Sequence, residues 1–402
     1  MHLYYFFVHS FHFLECYNEQ LNAHKYFKIR RVQMANTVST TEFEPYSGKP
    51  DKERLIATYR GEKTDRVPNF EVLIEDEHVS KMLGRKASNT LSADGDPAKG
   101  ADDSEGGIRP MYPSDYIDVC NVIGQDCILL ESLWTPLKQK NKDGSISSFF
   151  DKSFKSREDL DRIIWPGEEE ITRALGFVQE YVDAVKGTDI GVVYLGGCIF
   201  QTLYEFVIGF QDFMILLMDD EGLISEIMER SSVYFVELYK RAVELGIDVL
   251  WLADDFAFNG GMMIPPETFE RIWRKPMERM MEPALNAGIP LKFHSDGKLD
   301  DAMEMLIDMG FNCINPMDPY SIDYRDYKKR YGNRVTFSGN IDIEVPLVRG
   351  STEDVEKDVK EHCEVMMKGG RWEASTSHSV VNYIPHENFI TMINAFHKYG
   401  KY

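Results

Sequence analysis

Ile247–Gly297 reads IDVLWLADDFAFNGGMMIPPETFERIWRKPMERMMEPALNAGIPLKFHSDG, and this stretch decides the fold. An apolar run, Ile247–Ala253, stops abruptly at Asp254-Asp255. A helix opens at Pro265-Pro266-Glu267, where proline in the first turn is well tolerated. A second apolar run from Ile289 then closes in His294-Ser295-Asp296-Gly297. Two near-continuous apolar strands joined by an amphipathic helix describe a parallel crossover unit covered on both faces.

The same alternation extends in both directions. Upstream lie RVPNFEVL (Arg66 to Leu73), DCILLE (Asp126 to Glu131) and DIGVVYLGG (Asp189 to Gly197). Downstream lie FNCINP from Phe311, RVTFSG from Arg334 and RWEAST from Arg371. Between them run a short helix ending near Gly84, long helical patterning from Thr202 to Leu245, and further amphipathic segments. A KNKDGS turn inside Lys138 to Phe149 reads as a hairpin excursion. Residues 86–112, rich in Gly, Ser, Asp and Pro, read as a long exposed loop and a candidate lid. Eight such units predict an α/β chain folded as a (β/α)8 TIM barrel over residues 51–402. No GxGxxG follows the first strand and no Walker A motif occurs, so the usual nucleotide signatures are absent.

Residues 1–50 are expected to be an N-terminal extension outside the barrel. The aromatic- and histidine-rich residues 1–33 make a poor secretory signal and fit no ordinary ligand spacing. Translation is expected to begin at Met34.

The chain of 402 residues carries 45 Lys plus Arg against 66 Asp plus Glu, a formal charge of −21. So acidic a surface argues against nucleic acid, which needs Lys/Arg to neutralise phosphate, and against an anionic membrane. No run approaches the roughly 18 to 20 apolar residues of a membrane span. Six cysteines without a CxxC pair read as reduced and cytoplasmic, each a small buried hydrophobe.

Active sites of such barrels lie at the carboxyl ends of the strands. Those ends supply Glu71, Glu131, Gly196-Gly197, Asp254-Asp255, His294 to Gly297, Asn315, Asn340 to Asp342 and Ser377-His378. Any one acid there is also an ordinary helix cap; their convergence on one rim favours function. His294 and Asp296 alternate along a strand and so address one side, as ligands of one ion or substrate. The other reading has Asp296 cap a helix from Leu299 while His294 simply packs. His378 closes the eighth strand, as a site residue or a solvated loop histidine. Asp254 and Asp255 repel one another, so that one with a raised pKa can move protons; capping is the alternative. Trp251 and Phe256 could line a ring-shaped substrate or pack the core, whereas Met277, Met280 and Met281 read as packing.

The stretch from WLADDFAFNGG (Trp251 to Gly261) through CINPMDP, then RVTFSGNIDIEVPLVRGSTEDV and ASTSHSV, resembles the uroporphyrinogen decarboxylase superfamily. GGCIFQTLYEFVIGFQDFMILLMDD resembles its segment after the third strand. The likeness covers roughly residues 51–400 and is strongest from Gly246 onward. It implies a (β/α)8 barrel and one of two chemistries. The decarboxylases need no cofactor and use an arginine-rich stretch after the first strand. Here that stretch is VPNFEVLIEDEHV (Val67 to Val79), whose glutamates would repel a polycarboxylate. Tyr204 matches the family tyrosine and His378 its late histidine.

The second branch comprises cobalamin-linked methyltransferases, including coenzyme M enzymes and components of O-demethylase systems. Their zinc is held by an HxC pair and a later cysteine; the matching positions here are His294, Asp296 and His378. Harder N and O donors replace both thiolates, which suits an oxygen substrate better than a thiol. The resemblance therefore implies a methyltransferase that moves a methyl group between a small methoxylated or methylated compound and a corrinoid. With no DxHxxG signature in the chain, the corrinoid is expected on a partner protein. Asp254, Asp255, Tyr204 and His378 are the expected catalytic residues. Glu71, Glu131, Phe256 and Asn315 are expected to contact substrate, and zinc is the expected metal. Uroporphyrinogen decarboxylation and a non-catalytic tetrapyrrole-binding barrel are the alternatives, and a homodimer is left open.

Overall fold

A computed structural model describes residues 43–90, 111–131, 137–141, 143–148 and 152–402. Residues 1–42, including the expected start at Met34, lie outside the described residues, as does 91–110 of the expected lid. Residues 43–402 form one compact unit. Tyr46, placed in the extension by sequence, packs within that unit: its backbone N–H donates to Val122 O at 2.8 Å and its ring lies under the Arg66 guanidinium.

Twelve strands occur among the described residues. They are β1 (Cys127–Glu131), β2 (Lys138–Lys140), β3 (Ile146–Ser148), β4 (Ile163–Ile164), β5 (Gly191–Gly196) and β6 (Val249–Ala253), followed by β7 (Ala257–Phe258), β8 (Gly261–Met262), β9 (Leu291–His294), β10 (Cys313–Asn315), β11 (Thr336–Ser338) and β12 (Trp372–Glu373). Seven of them form one parallel sheet in the order β1-β5-β6-β9-β10-β11-β12. β1, β5 and β6 are buried at every position, as expected of strands covered on both faces. β2 and β3 are the hairpin expected around the KNKDGS turn, and β4 adds a third antiparallel strand that was not foreseen.

The sheet curls until its edges meet one segment: Asn69 bridges both Gln125, just before β1, and Ala374, just after β12. This segment was expected to be a full first strand, and it makes only single bridges. Pro68 has no N–H to offer a ladder. The Gln125 side chain takes another place in it, accepting from Glu71 N at 3.0 Å and donating to Cys127 O at 2.8 Å.

Helices cover the outside of the sheet. Pro266–Ala287 buries Phe269, Ile272, Trp273, Pro276, Met277, Met280, Met281 and Ala284, a three-and-four spacing that presents one face to the sheet. The methionines are therefore packing residues, as expected. The Thr202 to Leu245 pattern resolves into a wide turn, Leu203–Val207, and two helices, Phe210–Asp219 and Glu221–Leu245. Asp220 separates the helices and caps the second by accepting from Leu223 N at 3.0 Å. No helix among the described residues is long and apolar enough to cross a membrane.

Candidate active site

β6 and β9 are adjacent and parallel, with Ala253 opposite His294. That register sets Asp255 beside Asp296 just past the two strand ends. The Asp296 N–H donates to Asp255 Oδ1 at 2.9 Å, and His294 Nε2 stands 3.6 Å from the same oxygen. His294 and Asp255 are partly open to solvent, their side chains 25% and 14% exposed. Gly297 allows this turn: its φ is +87°, and a Cβ there would meet Phe258 N at 2.5 Å, a backbone contact with no room to yield.

Asp255, His294 and Asp296 each offer one ligand atom, all within 4.8 Å of one another. Together they could ligate a metal ion. Burial, then the Asp255 charge, hold the Asp296 carboxyl well above the ordinary carboxylate range, with Asp318 adding to the effect and His294 opposing it. Asp296 is not a helix cap, because the following helix begins only at Met303 and is preceded by Ala302. The third member of the expected metal set, His378, stands outside this group. Its Nδ1 accepts from Ser379 N at 2.6 Å; the candidate donor beside His294 and Asp296 is Asp255.

Asp254 and Asp255 have different surroundings. Asp254 is fully buried and accepts from the backbone N–H groups of Ile199, Phe200 and Gln201, from the Trp273 indole at 2.8 Å and from the Cys198 thiol. Burial pushes its carboxyl up to about 6, and these donors pull it back. Asp254 thus anchors the loop after β5 to the helix Pro266–Ala287. Tyr204 is also engaged in structure: its hydroxyl donates to Asp255 O at 3.1 Å, and burial drives it well above the phenol range.

Two expected substrate contacts have neighbours within the fold. Phe256 is buried against Phe269, Trp273 and Phe293, with ring centroids 4.4, 5.8 and 5.7 Å away. It faces the helix layer, not the mouth, because the chain turns outward after Asp255. Asn315 holds His294: its Oδ1 lies 2.8 Å from His294 Nδ1 and its amide donates to Ser338 Oγ at 2.8 Å. Glu71 is buried and accepts from Thr376 N and Oγ1; burial pushes it up to about 7. Glu131 ends β1, opposite Leu195. Lys292, Ser338 and Glu373 were not anticipated, although a lysine within the apolar run IPLKFHS was a signal.

A curled parallel sheet with helices outside and a polar cluster at its carboxyl ends defines an α/β protein of TIM-barrel type. The uroporphyrinogen decarboxylase (URO-D) family model matches residues 104–399, and the chain belongs to that family. Among solved structures it is similar to a methyltransferase from Methanosarcina mazei, with 17% identity and a TM-score of 0.59, covering 86% of this chain and 98% of that one. It is also similar to a B12-independent methionine synthase from Shewanella sp. W3-18-1, with 12% identity and a TM-score of 0.43, covering 70% and 83%. No curated protein matches.

Proposed function

We propose that this chain is a corrinoid-linked methyltransferase, moving a methyl group between a small methoxylated or methylated compound and a corrinoid carried by a partner protein. The observation that carries the reading is the donor set of Asp255, His294 and Asp296 where β6 and β9 end. Two carboxylates and one imidazole leave a coordination position open, the layout of a catalytic zinc site. Zinc bound there would polarise the oxygen of a methoxyl group. The chain's own residues orient it: Asn315 holds the His294 ring, while Asp254 and Tyr204 fix the turns that carry Asp255. This reading takes the sheet as a complete eight-fold barrel, with the Asn69 segment as the eighth stave. Glu131 and His378 are proposed to contact substrate, and the fold shared with a methyltransferase is compatible with the whole.

The acidity of the mouth speaks against a polycarboxylate tetrapyrrole. Asp255 and Asp318 already act on Asp296, and each further like charge costs about 1 kcal/mol even in high dielectric. The test incubates the protein with free cob(I)alamin and a panel of methoxylated aromatics and methylated amines. Methylcobalamin should form from at least one donor, and chelation should abolish it. Decarboxylation of uroporphyrinogen III without methyl transfer to any corrinoid would overturn the reading.

A further inference from the structure

A buried polar chain runs from His294 across four neighbouring strands. Lys292 and Glu373 form an ion pair at 2.6 Å, both fully enclosed, with the ammonium 3.9 Å from the Trp251 ring centroid. Tyr59 donates its hydroxyl to the other oxygen of Glu373. Ser338 Oγ donates to Glu373 Oε1 at 2.5 Å, and Asn315 Nδ2 donates to Ser338 Oγ at 2.8 Å. Asn315 Oδ1 then meets His294 Nδ1 at 2.8 Å. The members lie on β9, β10, β11 and β12, with Asn315 opposite His294 and Ser338 opposite Glu373 in register.

The direction of this chain is forced from one end. An ionised carboxylate only accepts, and a serine hydroxyl has one proton to give. Ser338 gives it to Glu373, so toward Asn315 it can only accept. Asn315 must therefore turn its NH2 to Ser338 and its carbonyl oxygen to the imidazole. A carbonyl oxygen accepts, so Nδ1 of His294 must carry a proton. In the neutral ring Nε2 is then left with its lone pair, and Nε2 is the atom facing Asp255.

We propose that Glu373, acting through Ser338 and Asn315, is a positioning residue that fixes the tautomer and orientation of His294 and presents Nε2 as a ligand. The inference rests on the proposed function only for the purpose of that ligand; the tautomer is a property of the metal-free protein. Groups that orient a ligating histidine in this way typically change metal affinity about 10- to 100-fold when removed.

The experiment is nitrogen-15 NMR of histidine-labelled, chelator-treated protein at pH 8, with the His294 signals assigned from His294→Gln. Wild type should show the Nδ1–H tautomer. Ser338→Ala should shift it toward a mixture of tautomers and weaken zinc binding about 10- to 100-fold. Asn315→Leu, which removes the acceptor outright, should do the same if Ser338→Ala fails to fold. An Nε2–H tautomer in wild type overturns the proposal, and that spectrum needs no variant. So does a His294 signal unchanged in a folded Ser338→Ala or Asn315→Leu protein. If the tautomer behaves as expected while no methyl transfer is found, the positioning role stands and the proposed function falls.

Discussion

Asp254 and Asp255 are neighbours in sequence with opposite environments, and substituting each separately tests the assignment of structure to one and site to the other. Replacing Asp254 with Ala strips the acceptor from three backbone N–H groups, one indole N–H and one thiol, in a position with no exposure. Each buried donor left unpaired costs about 1–3 kcal/mol. Even with partial relaxation, Asp254→Ala should lose roughly 4 kcal/mol or more, a large share of a typical 5–15 kcal/mol. Asp254→Asn keeps one oxygen acceptor but aims an NH2 at the remaining donors; it should lose roughly 2 kcal/mol, because the cost of burying the charge is relieved. Asp255→Asn should leave stability within about 0.5 kcal/mol of wild type, as expected for a partly open side chain without such a network. Urea unfolding at pH 7.5, followed by far-UV circular dichroism, measures all three. An Asp254→Ala protein unfolding within about 1 kcal/mol of wild type would show that the five donors do not depend on that carboxylate, and the anchoring argument would be lost.

In a zinc titration, Asp255→Asn should weaken binding at least about tenfold, whereas His378→Ala should leave it unchanged; the reverse order would restore the sequence-based ligand set. Asp126 accepts from Arg54, Arg66 and Asp51 N at the opposite end of the sheet, so Asp126→Leu should cost roughly 3–5 kcal/mol in urea by leaving two guanidinium groups short of a partner. His78 and His386 share an Nδ1···Nδ1 contact of 2.9 Å; burial lowers both, His386 to about 4 with His78 and Lys81 adding to it, while at His78 Lys81 adds to it and the Val381 carbonyl, Glu77 and Asp76 oppose it. A histidine held below its unfolded value of about 6.5 gives stability that is complete above that pH and is lost as pH falls toward the folded value. Allowing for partial exposure, His386→Gln should shrink the stability difference between pH 7.5 and pH 4.5 by about 1 kcal/mol, and an unchanged difference would refute the coupling.

The strands were legible because a parallel sheet covered on both faces writes its staves as unbroken apolar runs. Seven of the eight expected runs are strands, and the two bounding the quoted stretch place Asp255, His294 and Asp296 at one level. The first run failed for a local reason, the missing N–H of Pro68 and the intrusion of the Gln125 side chain. His378 does not join the cluster of Asp255, His294 and Asp296, because sequence gives the end of a strand but not the direction of the ring beyond it. For Phe256 the sequence left lining and packing open: past Asp255 the two-residue alternation stops, and the face on which a side chain falls is decided by the turn. The His294 positioning chain was the least legible part, since Lys292 and Glu373 lie 81 positions apart and Asn315 and Ser338 look like ordinary strand residues. Only the lysine in an apolar run was out of place.

The distribution of charge links these parts. A buried ion pair such as Lys292–Glu373 is weak evidence for stability, because well-packed apolar residues of similar volume often do as well or better. This one lies at the sheet interior and its acceptor leads through two side chains to His294, so its presence is better explained by the site than by the fold. It also removes the nearby buried cation from the mouth. Among the described residues, no lysine or arginine pairs with Asp255 or Asp296; their basic neighbour is the His294 imidazole. Two carboxylates crowd one imidazole while burial and Asp318 raise Asp296 further, a balance that favours a proton on that carboxyl until a positive charge arrives. A divalent cation held by the three donors would supply that charge and displace the proton, so its binding must strengthen as pH rises through the neutral range. Binding of zinc that is independent of pH between 5.5 and 8 would contradict this account of the site's electrostatics.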